Sequence, residues 1–334
     1  MSVEASPTPT PAATAAQPRS TSRLAFQLRD YGILLAFVAI VIALSVSTST
    51  FLTTSNLVNL LDQCAEVGLL AAGATVCILS GVFDLTASAT LALSAIIGVE
   101  VVRATNVLTG FTAAIAAGAV LGFITGNVVV RSGVNSFIAT LATSIVYRGL
   151  AVIVTSATII YPLTSQSEDF GMLTWPSVFG LTSATVVFIL VVVVIGVIVA
   201  WTTFGRRLYA VGGNAEAARL SGIRVGSIHI SAYVISGICA ALAGLVLASR
   251  AGSAQSSMAT GDEFTAITAA VVGGTSILGG EGAIWRGVVG ALLLTLIGNG
   301  FNLLGWNTTY QQVVQGCLIL FAVTVDRWLR KRTQ

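Results

Sequence analysis

Apolar residues in this sequence come in runs about as long as a bilayer is thick, and a bundle of membrane helices is the fold that accommodates such runs. They fall at 31–49, 58–80, 84–102, 109–130, 136–158, 182–202, 229–249, 265–279, 285–303 and 310–326. Crossing a hydrocarbon core takes about 20 apolar helical residues, and most of the runs are near that length. Charge is correspondingly scarce. Of 334 residues, 9% are charged and 55% hydrophobic, against about 25% charged in a soluble domain, so water-soluble folding is excluded. The expectation is an all-α polytopic membrane protein with about ten transmembrane helices. The glycine-rich eighth run either crosses fully or re-enters from one side.

Basic residues set the expected orientation, because Lys and Arg accumulate in cytoplasmic loops. With the N-terminus cytoplasmic, 13 of the 16 lie inside: Arg19, Arg23, Arg29, Arg131, Arg206, Arg207, Arg219, Arg224, Arg286, Arg327, Arg330, Lys331 and Arg332. Arg103 and Arg250 fall outside and Arg148 lies within a span. Both termini are therefore expected in the cytoplasm. Residues 1–28, rich in Pro, Thr, Ala and Ser at their start, lack the apolar core of a signal peptide and read as a disordered cytoplasmic tail. Residues 29–330 form the transmembrane domain. Two outside segments, Tyr161–Ser177 and Ala251–Phe264, either offer a docking surface or simply cap helices.

Little in the sequence suggests catalysis. His229 is the single histidine, at the cytoplasmic edge of a span, where a plain interfacial role is expected. Cys64, Cys77, Cys239 and Cys317 each lie in an apolar run without metal-ligand or CxxC spacing, and read as small buried hydrophobes. No catalytic residue, metal or cofactor is expected, and no nucleic-acid partner. Gly273–Gly282 lacks the GxxxxGK[ST] order of a phosphate loop. Its five glycines suit a broken helix or close helix packing.

The loop 203–228 is the longest polar stretch within the membrane region and contains signals for a short helix. Asn214 is a good N-cap, Glu216 in the first turn and Arg219 toward the end suit the helix dipole, and Gly222 supplies a left-handed stop. Ala215, Ala217, Ala218 and Leu220 between them are good helix formers. Gly212 and Gly213 are expected to let the chain turn sharply just before the cap. Such a helix suits a groove on a partner, or serves as an ordinary connector.

The run Thr203–Ile223 resembles the coupling loop of permease subunits from bacterial ATP-binding cassette sugar importers of the ribose/xylose/galactose branch. The resemblance rests on Phe204, Gly205, Arg206, Tyr209, Ala210, Val211, Gly212, Gly213, Asn214, Ala217, Ala218, Arg219, Leu220, Ser221, Gly222 and Ile223. Asn135–Leu141 with Tyr147–Leu150, Gly273–Gly280 with Gly282, and Asn299, Gly300, Asn302, Leu303 and Gln311–Val314 with Gly316 and Asp326 are similar to other segments of that family. The family's GGIDLSVGS stands here as Gly81–Ala89, with Val82 and Ser88 in place of two glycines, and Asp262, Phe264, Thr265 and Thr268 also depart from its pattern.

The resemblance implies import of a monosaccharide or related polyol across the inner membrane by alternating access. It implies three partners: a cytoplasmic ATP-binding cassette ATPase, a periplasmic sugar-binding protein and a second permease subunit, as homodimer or heterodimer. Asn214, Glu216, Ala217, Ala218, Arg219, Leu220 and Gly222 would couple ATP hydrolysis to the spans. Candidates for the translocation pathway are Asp84, Asn135, Phe137, Arg148, Asn299 and Asn302. Arg148 either lines the pathway, ties two helices through a carboxylate such as Asp84 or Glu66, or snorkels to an interface. Asn299 and Asn302 share a helix face and serve either a lumen or interhelical contact. An ion-coupled secondary transporter of a small polar solute is the alternative, and a membrane enzyme a third reading.

Overall fold

The computed structural model describes residues 35, 37–176, 180–307, 310, 311, 313, 314, 316, 317, 320 and 324. The expected tail and the basic residues Arg19, Arg23, Arg29, Arg327, Arg330, Lys331 and Arg332 lie outside them, as do Gln312 and Asp326. The described chain is α-helical, and its only β pairing is two isolated bridges, Ile160 with Ala254 and Pro176 with Thr182. The helices are α1 (Phe37–Ser47), α2 (Thr54–Leu79), α3 (Ala87–Ala104), α4 (Val107–Ser132), α5 (Ser136–Thr155), the single turn α6 (Ser167–Phe170) and α7 (Ser183–Trp201). After these come α8 (Thr203–Gly213), α9 (Ala215–Leu220), α10 (Val225–Ala251), α11 (Asp262–Val272) and α12 (Ile284–Leu303).

Seven of them (α2, α3, α4, α5, α7, α10 and α12) are long and apolar enough to cross a membrane. Each matches an expected run to within a few residues. The expected first run reaches residue 31 and the tenth residue 326, and both extend beyond the described residues. The eighth differs. α11 has 11 residues and stops at Val272, because the following glycines take positive φ at Gly274, Gly279, Gly280 and Gly282, which a helix cannot continue through. A helix of that length spans about 16 Å, roughly half a hydrocarbon core.

Caps fix the ends. Thr53 accepts from Asn56 N–H at the start of α2, Asn106 from Thr109 N–H at α4, Asn135 from Phe137 N–H at α5 and Thr182 from Thr185 N–H at α7. Packing then follows from residue size. On α4, Gly118, Gly122 and Gly126 recur every four residues and face α10, where a Cβ at Gly122 would lie 2.2 Å from the Tyr233 carbonyl oxygen. Backbones approach closely there, as between membrane helices with small residues at the seam. The buried core lies between α2, α3, α4 and α10. α5 and α7 turn Ile145, Ile153, Leu190 and Val193 outward, the lipid-facing side of such a bundle.

Two non-helical segments interrupt the bundle. Residues 80–86 join α2 to α3 and are pinned along their length. His229 Nε2 donates to the Ser80 carbonyl (3.1 Å), Tyr233 O–H to the Phe83 carbonyl (2.9 Å), and Phe83 N–H donates to Ser136 Oγ (3.2 Å). Asp84, 4% exposed, closes the turn by accepting from Thr86 N–H and Oγ1. Such pinning lets irregular backbone persist among membrane helices, because freed polar groups at Ser80, Phe83 and Thr86 find protein partners. His229 thus has a structural bond beyond a plain interfacial role. The second segment, 252–261, precedes α11.

Candidate functional site

The expected docking helix forms as α9. Asn214 Oδ1 accepts from Ala217 N–H at 2.9 Å, Glu216 and Arg219 pair at 2.6 Å, and Gly222 takes φ +83°. Ala218 is buried at its root while Leu220 is 78% exposed, so the helix presents one apolar knob flanked by a charged pair. Their mutual exposure makes that pair a weak stabiliser. What the sequence did not signal is α8 immediately before it. Leu208 and Val211 are buried on one face, and Arg206 and Arg207 on the other disguised the segment as loop.

Gly212 and Gly213 therefore do not make the sharp turn expected of them; they close α8. Gly212 is required for another reason. A Cβ there would stand 1.9 Å from the Leu79 carbonyl oxygen and 2.6 Å from Gly280 N. At this junction the end of α2, the end of α8 and the glycine-rich loop meet backbone to backbone. Gly280 N–H donates to the Leu79 carbonyl at 3.1 Å, and Tyr209 O–H donates to the Gly282 carbonyl at 2.9 Å. Burial pushes the Tyr209 phenol above its ordinary range, so it remains a donor. The loop serves close packing, one of the two roles expected for it.

A polar cavity of about 300 Å³ opens between α2, α11 and α12. Gln63, Glu66 and Val67 line it from one face of α2, Asp262 and Thr265 from the first turn of α11, and Leu294, Thr295, Gly298 and Asn302 from α12, with Gln311 beside them. Each set recurs at intervals of three and four residues, as in Gln63, Glu66 and Val67, so each occupies one helix face. The lining offers two carboxyl groups, three amides and two hydroxyls, which suits a small ligand rich in hydroxyl groups.

Of the six pathway candidates only Asn302 lines this cavity. Asn299 is buried and exchanges two hydrogen bonds with Asn56 (2.9 and 3.1 Å), tying α12 to α2. Asp84 is consumed in its turn. Asn135 caps α5, and Phe137 beside it is 46% exposed. Arg148 pairs with neither Asp84 nor Glu66. Its guanidinium donates to the carbonyls of Ser256 (2.6 Å) and Met258 (2.9 Å) and to Ser88 Oγ (3.1 Å), while the carboxylates acting on it are Glu263 and Asp262. A planar fork of donors matches such diverging acceptors. Ser88, where the related pattern carries glycine, supplies one of them. Cys64, Cys77 and Cys239 are buried as expected; Cys317 is exposed. Among the described residues no cluster of metal-ligating side chains occurs.

Sequence reading missed Gln63, Glu66, Asp262, Thr265, Thr295 and Gln311. A signal existed in the polar pairs Gln63/Glu66 and Asp262/Thr265, each three apart within apolar surroundings.

A family described as "Branched-chain amino acid transport system / permease component" matches residues 56–323. The ribose import permease protein of Escherichia coli (strain K12) is 38% identical over 307 residues, covering 88% of this chain and 92% of that protein. The D-allose transport system permease protein of the same organism is 35% identical over 297 residues, 88% and 90%. Its L-arabinose transport system permease protein is 34% identical over 303 residues, 90% and 92%. No solved structure matches the chain.

Proposed function

We propose that this chain, which belongs to the branched-chain amino acid transport system / permease component family, is the membrane subunit of an ATP-binding cassette importer that moves a monosaccharide into the cytoplasm. It works with an ATPase, an extracytoplasmic sugar-binding protein and a second permease subunit. Hydrolysis and primary recognition belong to the partners. In this reading the chain crosses the inner membrane about ten times, and its basic loops place both termini and α9 on the ATP side.

The observation that carries the proposal is a connection. The exposed, capped helix α9 leads through α8 into the junction where α2 ends and the loop after α11 turns, and α2 and α11 carry Glu66 and Asp262 into the polar cavity. Movement of a motor subunit on α9 thereby reaches the cavity along two helices. A sugar fits the cavity better than an amino acid does, because among the described residues no Lys or Arg lines it to receive a carboxylate.

A second reading, an ion-coupled transporter, is favoured by one feature: Glu66 stands midway along α2, where a charge is costly and usually functional. Uptake of radiolabelled ribose, allose and arabinose into vesicles containing the three components separates the two. The importer accumulates at least one sugar only with ATP and tolerates an uncoupler. Accumulation that outlasts ATP removal and collapses with the uncoupler would sink the importer.

A further inference from the structure

We propose that the turn 276–281, which follows α11, is a second seat for the ATPase subunit beside α9, with Leu278 as its contact residue. The proposal rests on the reading of the chain as the membrane subunit of an importer. It adds to that reading a second point of grip and a hold on α11.

Leu278, 69% exposed, is the apolar tip of the turn, as Leu220 is of α9. Glu281, three residues on, is exposed too. A carboxyl group is costly in hydrocarbon, so its exposure at the end of the turn places that tip in water. An aliphatic side chain held out into water beside charge has the form of an interface contact, an apolar centre with a polar rim. On α9 the rim is the Glu216–Arg219 pair.

The turn holds its tip still. Ser276, fully buried, is the hub. Its Oγ accepts from Leu278 N–H (3.2 Å), its carbonyl accepts from Gly279 N–H (3.0 Å), and its own N–H donates to the Glu281 carbonyl (2.9 Å). A contact whose conformation is fixed in advance loses little entropy on binding.

Continuity assigns the tip to the partner of α9. A Cβ on Gly280 would stand 2.7 Å from both Cα and N of Gly213, and Gly213 immediately precedes the α9 cap. Along the helix Leu220 is about 10 Å from Gly213, and Leu278 is at most about 7 Å of chain from Gly280. The two leucines therefore lie within roughly 20 Å of each other, inside the footprint of about 800 Å² that one standard partner covers. The other end of the turn joins α11 without a free linker. Gly273 N–H donates to the Ala269 carbonyl (2.9 Å), Gly274 N–H to that of Val271 (2.8 Å) and Thr275 N–H to that of Ala270 (2.9 Å). A motor subunit seated on Leu278 thus holds α11 through three hydrogen-bonded residues, whereas α9 reaches it only across the glycine junction.

The test uses the importer assembled in vesicles, with Cys317→Ser removing the exposed native thiol. Leu278→Cys, Leu220→Cys and, as control, the outward-facing Leu190→Cys are labelled with a benzophenone maleimide and irradiated, and ATP-driven ribose uptake is measured in parallel. Leu278→Cys and Leu220→Cys should cross-link to the ATPase, and Leu190→Cys to lipid only. Leu278→Asp should weaken binding of the purified ATPase about tenfold. Absence of an ATPase adduct at Leu278, an adduct there with lipid or a second permease instead, or unchanged affinity in Leu278→Asp overturns the second seat and leaves the importer standing. Uptake that outlasts ATP removal overturns the importer itself, whatever Leu278 touches.

Discussion

Replacing Gly212 by alanine adds one methyl group at the place with least room for it. The new carbon would stand 1.9 Å from the Leu79 carbonyl oxygen, and ordinary contact begins at 3.4 Å, so two backbones must separate by about 1.5 Å. The Gly280 N–H bond to that same carbonyl, 3.1 Å long, opens with them. Overpacking costs about 1–3 kcal/mol and an unsatisfied buried donor a further 1–3, so the junction loses about 2–6 kcal/mol. Gly213 is the control. It is the next residue on the same helix, with nothing within 4 Å of its missing Cβ; alanine there should be neutral or stabilise by up to about 1 kcal/mol. Purified subunits are compared by thermal unfolding in detergent, and assembled importers by ATP-driven uptake per ATP hydrolysed. Gly212→Ala should lower the midpoint and the uptake per ATP together, while Gly213→Ala leaves both. If the two variants behave alike, the close backbone contact does not join α8 to α2 and the reasoning fails.

Three further outcomes follow from other contacts. Arg219→Glu and Leu220→Asp alter only the exposed face of α9, so membrane insertion, read by protease mapping, should be unchanged while ATP-linked uptake is lost; normal uptake in both removes the docking role. Arg148→Lys replaces a fork that reaches Ser256, Met258 and Ser88 by a single ammonium; at about 1.5–3 kcal/mol for a charged hydrogen bond, residues 252–261 should exchange amide hydrogens about tenfold faster or more, and unchanged exchange refutes the clamp. For Asn56 and Asn299, a double-mutant cycle to alanine should return a coupling of about 0.6–1.7 kcal/mol between α2 and α12; zero coupling would mean the amides do not act as a pair.

The parts legible in the sequence are those encoded by contiguous residues. Seven membrane-length helices show because each is one unbroken apolar run, and α9 shows because cap, helix formers and stop stand within nine residues. α8 stayed hidden because two arginines on its open face outweigh two buried aliphatics in any local reading. The cavity was hidden more deeply. Its lining comes from segments some two hundred residues apart, and only packing reveals that Gln63 and Asp262 face one space. Arg148 shows a third limit: a charged residue within an apolar run suggests a carboxylate partner, yet two of its three partners are backbone carbonyls, which every residue possesses and no sequence marks. Asn299 and Asn302, equal candidates by spacing, were separated only by the reach of Asn56.

The glycine junction determines how much play the machine has. A joint made of side chains can take up roughly an ångström by switching rotamers before anything beyond it moves. Where backbone rests on backbone there is nothing to switch, so the first increment of travel at the end of α8 would already be travel at α2. From Leu79 to Glu66 is about 20 Å of helix, a stiff rod rooted at the joint, whereas α11 ends at Val272 and reaches Gly280 only through the glycine loop. In the proposed importer, a short stroke by a motor subunit on α9 would therefore displace the α2 wall of the cavity with little of it spent as backlash.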